Sequence, residues 1–323
     1  MKTLTFMDFC SGIGAGRLGL ELCAMKCVGH SEIDPIADLT YQLFFGDKGN
    51  LGDLSQLNIP ALPDFDLMLA GFPCQTFSIA GKRTGFNDDR GQIIYHLVDI
   101  LTWKNVPYFL LENVKGIVNH NNGKTLNVIL SLLDNAGYDV SFEVLDSQFY
   151  GVPQMRERAY FVGIRKDIKH KPYQFPQRKD GLGKEQDIQF YLNDKRDYEF
   201  DIYSPTFQKY LNNKYNQGKY DLTSFLEKDY TIIDWRQSDF RVYDRKSPTL
   251  RTGRHGILYT KNGKLRKLSG YEALRLQGFP KDIAEKVIEH NLPDSRVLAQ
   301  AGNAMTVTVI QKLAQQLLKA LEV

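Results

Sequence analysis

The sequence predicts an α/β protein with a doubly wound, Rossmann-like sheet and a second, smaller domain. Short, almost wholly apolar runs alternate with helical patterns over the first half of the 323 residues. A glycine-rich turn follows the first run, and the composition changes after about residue 169. Alternating strands and helices, with strands apolar on both faces, are typical of parallel sheets covered by crossover helices.

Continuous apolar runs bounded by turn residues predict the strands, and a 3.6-residue apolar period predicts the helices. Gly137 is expected to end one helix, because glycine readily adopts the positive φ that follows a helix. The predicted strands span residues 3–9, 27–34, 50–54, 65–71, 107–114, 139–145 and 159–164. The predicted helices span residues 17–24, 35–45, 91–103, 125–135 and 304–321.

Composition divides the chain and argues against several classes of protein. Residues 170–230 are rich in Lys, Asp, Asn, Gln and Tyr and have weak periodicity. We predict a first domain at 1–169, a second at 170–298, and a segment at 299–323 that returns to the first. No apolar run reaches the ~18 residues that a membrane span needs, and the N-terminus lacks a signal-peptide pattern. We therefore expect a cytoplasmic protein without membrane contact.

The cysteines Cys10, Cys23, Cys27 and Cys74 lack the paired CxxC spacing of a zinc site, and no metal is expected. In a reducing compartment they are expected to be free thiols.

Charge is concentrated in one stretch. Residues 231–267 hold ten basic and three acidic residues, a net charge of +7, against +3 for the whole chain. Such a patch is typical of a protein that binds a phosphate backbone, although a solvated loop face would have the same composition.

The glycine-rich turn predicts a nucleotide-like cofactor site. Residues 8–16 read DFCSGIGAG; Glu32 follows where a carboxylate can accept hydrogen bonds from ribose hydroxyls, and Asp53 closes the third predicted strand, where it can meet an adenine edge. The spacing is GxGxG and not GxGxxG, which gives less reason to place a pyrophosphate at the helix. A nucleoside cofactor without phosphates, such as S-adenosylmethionine, fits as well or better.

Two neighbouring strand ends carry candidate catalytic groups. The fourth strand ends at Gly71 and leads to Pro73-Cys74, and the next strand ends in Glu112-Asn113-Val114. A cysteine acts as a nucleophile through its thiolate, and a polar, positively lined loop favours that form. Cys74 and Glu112 are therefore predicted to form a nucleophile and acid–base pair.

These segments resemble the DNA (cytosine-5) methyltransferases, especially the compact bacterial restriction–modification type. The resemblance covers nearly the whole chain in the family's order: DFCSGIGAGR (8–17), GFPCQTFS (71–78), ENV (112–114), QMRER (154–158) and GNAMTVTV (302–309). It implies the fold of S-adenosylmethionine-dependent methyltransferases, with residues 170–298 as target-recognition domain and hinge.

The resemblance also implies a mechanism. A cytosine is flipped out of double-stranded DNA, Cys74 adds to its C6, Glu112 contacts N3 and the exocyclic amine, and Arg158 contacts O2. S-adenosylmethionine gives its methyl group to C5 and becomes S-adenosylhomocysteine. The catalytic residues implied are Cys74, Glu112, Arg158, Arg156, Gln154 and Pro73.

The resemblance implies two further sets of residues. The cofactor set is Phe9, Ser11, Gly12, Ile13, Gly14, Glu32, Ile33, Asp53, Leu54, Gly71, Asn303 and Met305. The DNA set is Ser78, Lys82, Arg90, Gln237, Ser238, Arg241 and Thr249. Within it, Arg241 fits either a guanine or a phosphate contact. We expect a monomer that is DNA-associated in a bacterial cytoplasm, with a cognate restriction endonuclease as its system partner.

The chain departs from the family at Cys10 and Ile33, where the family has aromatic residues that stack on adenine. Phe9 is the residue we expect to compensate.

Three other classes of protein are alternatives to the DNA enzyme. A tRNA cytosine methyltransferase of the same fold carries a Cys-Phe-Thr signature after its acid motif, which this sequence lacks. A non-catalytic DNA-binding protein on this scaffold should have lost Cys74, Glu112 or Arg158, which are all present. A dehydrogenase would leave the Pro-Cys-Gln motif unexplained.

Overall fold

The computed structural model describes residues 3–73, 93–178, 187–196, 198–235, 240–253 and 256–322. The strands are β1 Thr5–Phe9, β2 Lys26–Ser31, β3 Leu67–Gly71, β4 Tyr108–Val114, β5 Tyr138–Asp146, β6 Glu157–Arg165, β7 Thr231–Asp234, β8 Arg241–Asp244, β9 Ile257–Lys261 and β10 Lys264–Lys267. The helices are α1 Ala15–Glu21, α2 Pro35–Phe45, α3 Ile93–Trp103, α4 Lys124–Asn135, α5 Pro205–Leu211, α6 Leu222–Leu226, α7 Gly270–Leu276, α8 Lys281–Glu289, α9 Asp294–Asn303 and α10 Val307–Leu321.

The chain forms two compact units. The first contains Met1–Asp146, Glu157–Gln177 and Ala304–Val323, and the second contains Ser147–Arg156 and Arg178–Asn303. The sheet of the first unit has the strand order β2-β1-β3-β4-β6-β5, and the sheet of the second has the order β10-β9-β7-β8.

The first unit confirms the predicted α/β fold and corrects the direction of one strand. β1 pairs parallel with β2 and β3, and β3 pairs parallel with β4, whereas β6 pairs antiparallel with both β4 and β5. No α-helix lies between β5 and β6; the link is Ser147–Arg156, with a single 3-10 turn. A parallel return needs a crossover of a dozen or more residues, so the shorter link brings β6 back antiparallel.

Helices cover both faces of this sheet because its strands are apolar on both sides. Met68 and Ala70 belong to a core cluster with Ile94 and Leu97 of α3. Leu69 points to the opposite face, where a Cβ added to Gly16 of α1 would lie 2.6 Å from it. The same face brings α10 against α1, since a Cβ at Gly19 would lie 2.6 Å from the Cβ of Ile310.

Two predicted elements need correction. Residues 50–54 do not form a strand: Asn50 makes an isolated bridge to His30, and Asp53 caps the 3-10 turn Leu54–Gln56. The positive φ of Gly52 turns the chain before a ladder can form. The terminal helix begins at Val307, three residues later than predicted, and the predicted segment 299–303 lies in α9.

The second unit contains a buried carboxylate, Glu272, in the first turn of α7. Ser269 caps the helix, its hydroxyl accepting from the Glu272 amide while Glu272 accepts from the Ser269 amide. Glu272 also accepts from the Tyr259 hydroxyl at 2.9 Å and from the Asp194 amide at 3.2 Å. Burial raises the pKa of Glu272 from 4.5 to about 7, despite these hydrogen bonds.

The raised pKa makes stability depend on pH. A carboxyl group whose pKa is higher in the folded than in the unfolded chain stabilises the fold fully below its unfolded pKa, and this contribution is lost as the pH rises through about 7. We expect the free energy of unfolding to fall between pH 5 and pH 8, by up to about 3 kcal/mol for a shift of this size. Glu272→Gln should remove that part of the pH dependence in urea unfolding, while Glu289→Gln, an exposed control, should keep it. Equal pH slopes for all three proteins would contradict the assignment.

Candidate active site

The turn after β1 brings the glycines and Glu32 together. The amide of Gly12 donates to Oε2 of Glu32 at 2.7 Å, and Oε1 of Glu32 accepts from the Asp34 amide at 2.8 Å. Cys10, Gly12 and Gly14 all have positive φ, so the chain reverses sharply before α1. Glu32, at the carboxyl end of β2, is therefore held beside the turn by the turn's own backbone.

The glycines of the turn differ in what surrounds them. A Cβ at Gly14 would lie 2.2 Å from the ring of Phe45, so this glycine is needed for packing. A Cβ at Gly12 would meet no atom within 4 Å of the described chain, although its φ is +55°. Gly12 thus leaves an open cradle next to Glu32, the kind of space in which a ligand can approach the backbone.

Sequence reasoning did not identify Asp8, which lies beneath this turn. Asp8 is fully buried at the carboxyl side of β1. Burial raises its pKa well above the usual range, the charges of Glu32 and Glu21 add to this, and Arg17 opposes it. Burial therefore favours the neutral, protonated form of Asp8. Its burial follows from the inward direction of its side chain in β1, which the apolar pattern does not reveal.

Phe9 was expected to supply the aromatic contact with adenine, but its ring points into the core of the first unit. The Phe9 ring is fully buried and packs against Phe65 at a centroid distance of 6.1 Å, so it faces the core. Ile33 is 71% exposed beside Glu32 and offers an open apolar face. Burial raises the pKa of the Cys10 thiol to about 12, with Glu32, Asp8 and Asp53 adding to the effect. The raised pKa therefore disfavours the thiolate form of Cys10.

The remaining predicted cofactor residues fall in different places. Gly71 ends β3, and a Cβ there would lie 2.9 Å from Cε of Met305. Four other members are buried or turn residues of the first unit: Ser11, Ile13, Leu54 and Asp53. Asn303 is the exception. Asn303 is an exposed residue at the end of α9 in the second unit, where its side chain accepts from the Thr252 hydroxyl.

Glu112 and Arg158 form an ion pair at the carboxyl end of β4. Nε of Arg158 lies 3.1 Å from Oε1 of Glu112, and both side chains are nearly buried. Their meeting depends on the antiparallel pairing, which sets Arg158 near the start of β6 opposite Val114 near the end of β4. Oε2 of Glu112 lies 3.6 Å from the position that a Cβ of Gly71 would take. The glycine thus leaves space in front of the carboxylate.

Asn113 ties the end of β3 to the end of β4. Its side-chain amide donates to the carbonyl of Phe72 at 2.9 Å, and the amide of Phe72 donates to the carbonyl of Glu112 at 3.2 Å. Pro73 follows as an exposed residue. The chain is therefore held beside Glu112 as far as Phe72, two residues before the predicted nucleophile.

Several predicted site residues lie outside the described part of the chain: Cys74, Ser78, Lys82, Arg90, Gln237 and Ser238. Of the other DNA-contact residues, Arg241 is exposed at the start of β8, and the Thr249 hydroxyl donates to the carbonyl of Met155 at 2.6 Å.

Gln154 and Arg156 belong to the second unit and are almost fully buried. Both donate to backbone carbonyls, Gln154 to Leu276 and Arg156 to Leu250 and Gly302. The prediction placed them in support of a cytosine pocket, but these bonds are made to the protein's own backbone.

Among the described residues, no helix is both long and apolar enough to cross a membrane. Within the same ranges, no cluster of His, Cys, Asp and Glu side chains has the arrangement of a metal site.

Comparison with known proteins gives a consistent result. The family model of the C-5 cytosine-specific DNA methylases matches residues 4–319. The Type II methyltransferase M.NgoBI of Neisseria gonorrhoeae is 37% identical over 307 residues, covering 94% of this chain and 90% of that protein. M.HhaI of Haemophilus parahaemolyticus is 32% identical over 331 residues, covering 96% and 93%. The crystal structure of the S. pombe Dnmt2 methyltransferase shares the fold with a TM-score of 0.71 at 21% identity, covering 99% of this chain and 100% of that one.

Proposed function

The chain belongs to the C-5 cytosine-specific DNA methylases, and from that premise we propose that it methylates C5 of a cytosine flipped out of double-stranded DNA, with Cys74 as covalent nucleophile. The observation that carries the proposal is the Glu112–Arg158 ion pair, whose Glu112 carboxylate lies 3.6 Å from the position that a Cβ of Gly71 would take, at the end of the strand that leads in sequence to Pro73-Cys74. It joins an acid–base group and a cation at the end of β4, next to the end of β3, the strand that precedes Cys74 in the sequence.

The proposed reaction begins when the Cys74 thiolate forms a bond to C6 and C5 gains the electron pair of the ring double bond. Glu112 must take up a proton, at least transiently, to donate a hydrogen bond to N3, while Arg158 keeps the Glu112 carboxyl in place and donates to O2. C5 would then bond to the methyl carbon of the donor while the bond from that carbon to the sulfonium sulfur breaks, with S-adenosylhomocysteine as the leaving product. A base then removes the C5 proton, the double bond re-forms, and Cys74 leaves as thiolate, so that the enzyme is regenerated.

S-adenosylmethionine supplies the methyl group as an electrophile on its sulfonium, and the residues of the first unit fit it. Glu32 suits the two ribose hydroxyls, and the open space at Gly12 lets a ligand lie against the backbone. The exposed face of Ile33 and the thiol of Cys10 suit an adenine by apolar contact in place of aromatic stacking. Met305 and Gly71 would border the methyl-bearing end.

Relatives named as Type II methyltransferases support a biological setting. We propose that this chain is the modification enzyme of a restriction–modification system, acts as a monomer, and shares its recognition sequence with a cognate endonuclease. The basic stretch 231–267, which forms much of the second unit's sheet, is the proposed DNA-facing region.

Methyl transfer to plasmid DNA tests the function directly. Unmethylated plasmid is incubated with the protein and S-adenosylmethionine and read by bisulfite sequencing. We expect protected cytosines to recur in one short sequence, because base contacts in the groove set the target. A folded protein that binds the cofactor but protects no cytosine in DNA would contradict the proposal, and methylation of tRNA under the same conditions would replace it.

The covalent step predicts a trapped complex. In a duplex with 5-fluorocytosine at the target, the adduct can accept the methyl group but has no C5 proton to lose, so Cys74 cannot be eliminated. We expect a denaturant-resistant protein–DNA complex that requires S-adenosylmethionine. Cys74→Ser should abolish the complex and Cys23→Ser should retain it. A complex that persists with Cys74→Ser would exclude this nucleophile.

The cradle at Gly12 predicts a separation of binding from stability. Gly12 and Gly46 both have positive φ, at +55° and +68°, and a Cβ at either meets no atom within 4 Å. Alanine at each position should lower the free energy of unfolding by a similar amount, about 1–2 kcal/mol. Gly12→Ala alone should weaken S-adenosylmethionine binding by calorimetry, roughly tenfold or more, because its Cβ enters the ligand's space. Equal affinities of the two variants for S-adenosylmethionine would contradict the proposal that the cofactor lies against Gly12.

A further inference from the structure

In the second unit, two buried side chains hold a backbone segment whose last three residues are exposed. We use "lock" for the side chains of Gln154 and Arg156, and "strip" for residues 249–253. Gln154 is 0% and Arg156 1% exposed. Both come from the QMRER segment, and Arg156 immediately precedes β6, the strand that carries Arg158.

Arg156 joins two segments that are distant in sequence. Its Nη1 donates to the carbonyl of Leu250 at 3.0 Å, and its Nη2 donates to the carbonyl of Gly302 at 3.1 Å. A planar guanidinium can place two donors on two carbonyls in fixed directions, which a lysine ammonium on a flexible stem cannot reproduce. The buried cation therefore fixes how the strip lies on the end of α9.

Gln154 and its neighbours hold the start of the same strip. Oε1 of Gln154 accepts from the Leu250 amide at 3.1 Å, while its Nε2 donates to the carbonyl of Leu276 at 2.9 Å. The Thr249 hydroxyl donates to the carbonyl of Met155 at 2.6 Å. The amide and the carbonyl of Leu250 are both bonded to the lock, so this residue has little freedom to rotate.

The strip also rests directly on Gly302. A Cβ at Gly302 would lie 2.5 Å from the carbonyl carbon of Arg251 and 2.5 Å from the amide nitrogen of Thr252. Thr252 further donates to Asn303 and to the carbonyl of Ala299. From Arg251 to Gly253 the strip is exposed, so that a backbone held rigidly from below presents an arginine and a threonine to solvent.

We propose that Arg156 is a positioning residue for DNA binding, which acts by fixing the strip in the conformation that meets the phosphate backbone, and that it does not touch the cytosine. This inference rests on the proposed function. Its two terminal nitrogens are used on the protein's own carbonyls, and the residue immediately after Leu250 is the exposed Arg251. Ordering the strip before binding removes part of the conformational entropy that DNA binding would otherwise cost.

Two variants disturb the strip from different sides. Arg156→Lys removes the bridge between Leu250 and Gly302, and Gly302→Ala pushes the strip outward while leaving Arg156 in place. Arg275→Lys is the matched control, because Arg275 also donates to a backbone carbonyl of the second unit, that of Phe279, but neither this bond nor its contact with the Tyr191 ring involves the strip. For each full-length protein we measure two dissociation constants, one for S-adenosylmethionine and one for a duplex that contains the sequence methylated by the wild type. We also measure KM for DNA, kcat and the free energy of unfolding in urea.

We expect Arg156→Lys and Gly302→Ala each to raise KM and the dissociation constant for DNA about tenfold or more, with kcat changed less than about threefold. Cofactor affinity should match that of the wild type, and Arg275→Lys should match it in every measurement. A fall in kcat with unchanged KM for DNA would overturn the inference, as would parallel losses of cofactor and DNA binding that follow reduced stability. The wild-type arm judges the proposed function separately: if it neither binds nor methylates DNA, that function fails and the inference fails with it.

Discussion

The antiparallel insertion of β6 next to β4 is the constraint on which the candidate site depends. In a wholly parallel sheet, the first residues of every strand lie at the edge opposite the carboxyl ends. Because β6 runs the other way, Arg158 near its start comes to the end of β4 and pairs with Glu112. The direction of β6 follows from a link to β5 without a crossover helix, so the length of that link determines which side chains can meet at the site.

Much of the first unit could be predicted because its strands and helices follow from short-range patterns of apolar residues. Strands buried on both faces, such as β3, read as continuous apolar runs, and helices α2, α3 and α4 show their period in the sequence. The direction of β6 was not predictable, since antiparallel and parallel strands buried on both faces have the same apolar pattern. The predicted strand at residues 50–54 was wrong because local turn signals were missed. The positive φ of Gly52 and the cap by Asp53 favour a turn at these residues.

In the candidate site, too, the sequence indicates residue types but not what surrounds each side chain. The predictions for Glu32 and Glu112 rested on residue type and place at a strand end, and the prediction for Arg158 rested on the family resemblance. The sequence could not show that Arg156 and Gln154 are buried, because a buried arginine is unusual and its partners here are backbone carbonyls far away in sequence. The resemblance implied that both residues support the cytosine pocket, and only the three-dimensional environment reveals their bonds to the protein's own backbone.

The close packing of α1 against α10 affects how the protein is made. Gly19 and Ile310 touch across nearly the full length of the chain, and Cys23 donates to the carbonyl of Gln311. During synthesis the surface of α1 that packs against α10 therefore stays uncovered until α10 has left the ribosome, long after the second unit has been translated. At about 5–20 residues per second, the interval between α1 and α10 is on the order of 15–60 seconds. Over that time the nascent chain carries an apolar surface that chaperones can recognise, and late folding becomes part of the protein's biosynthesis.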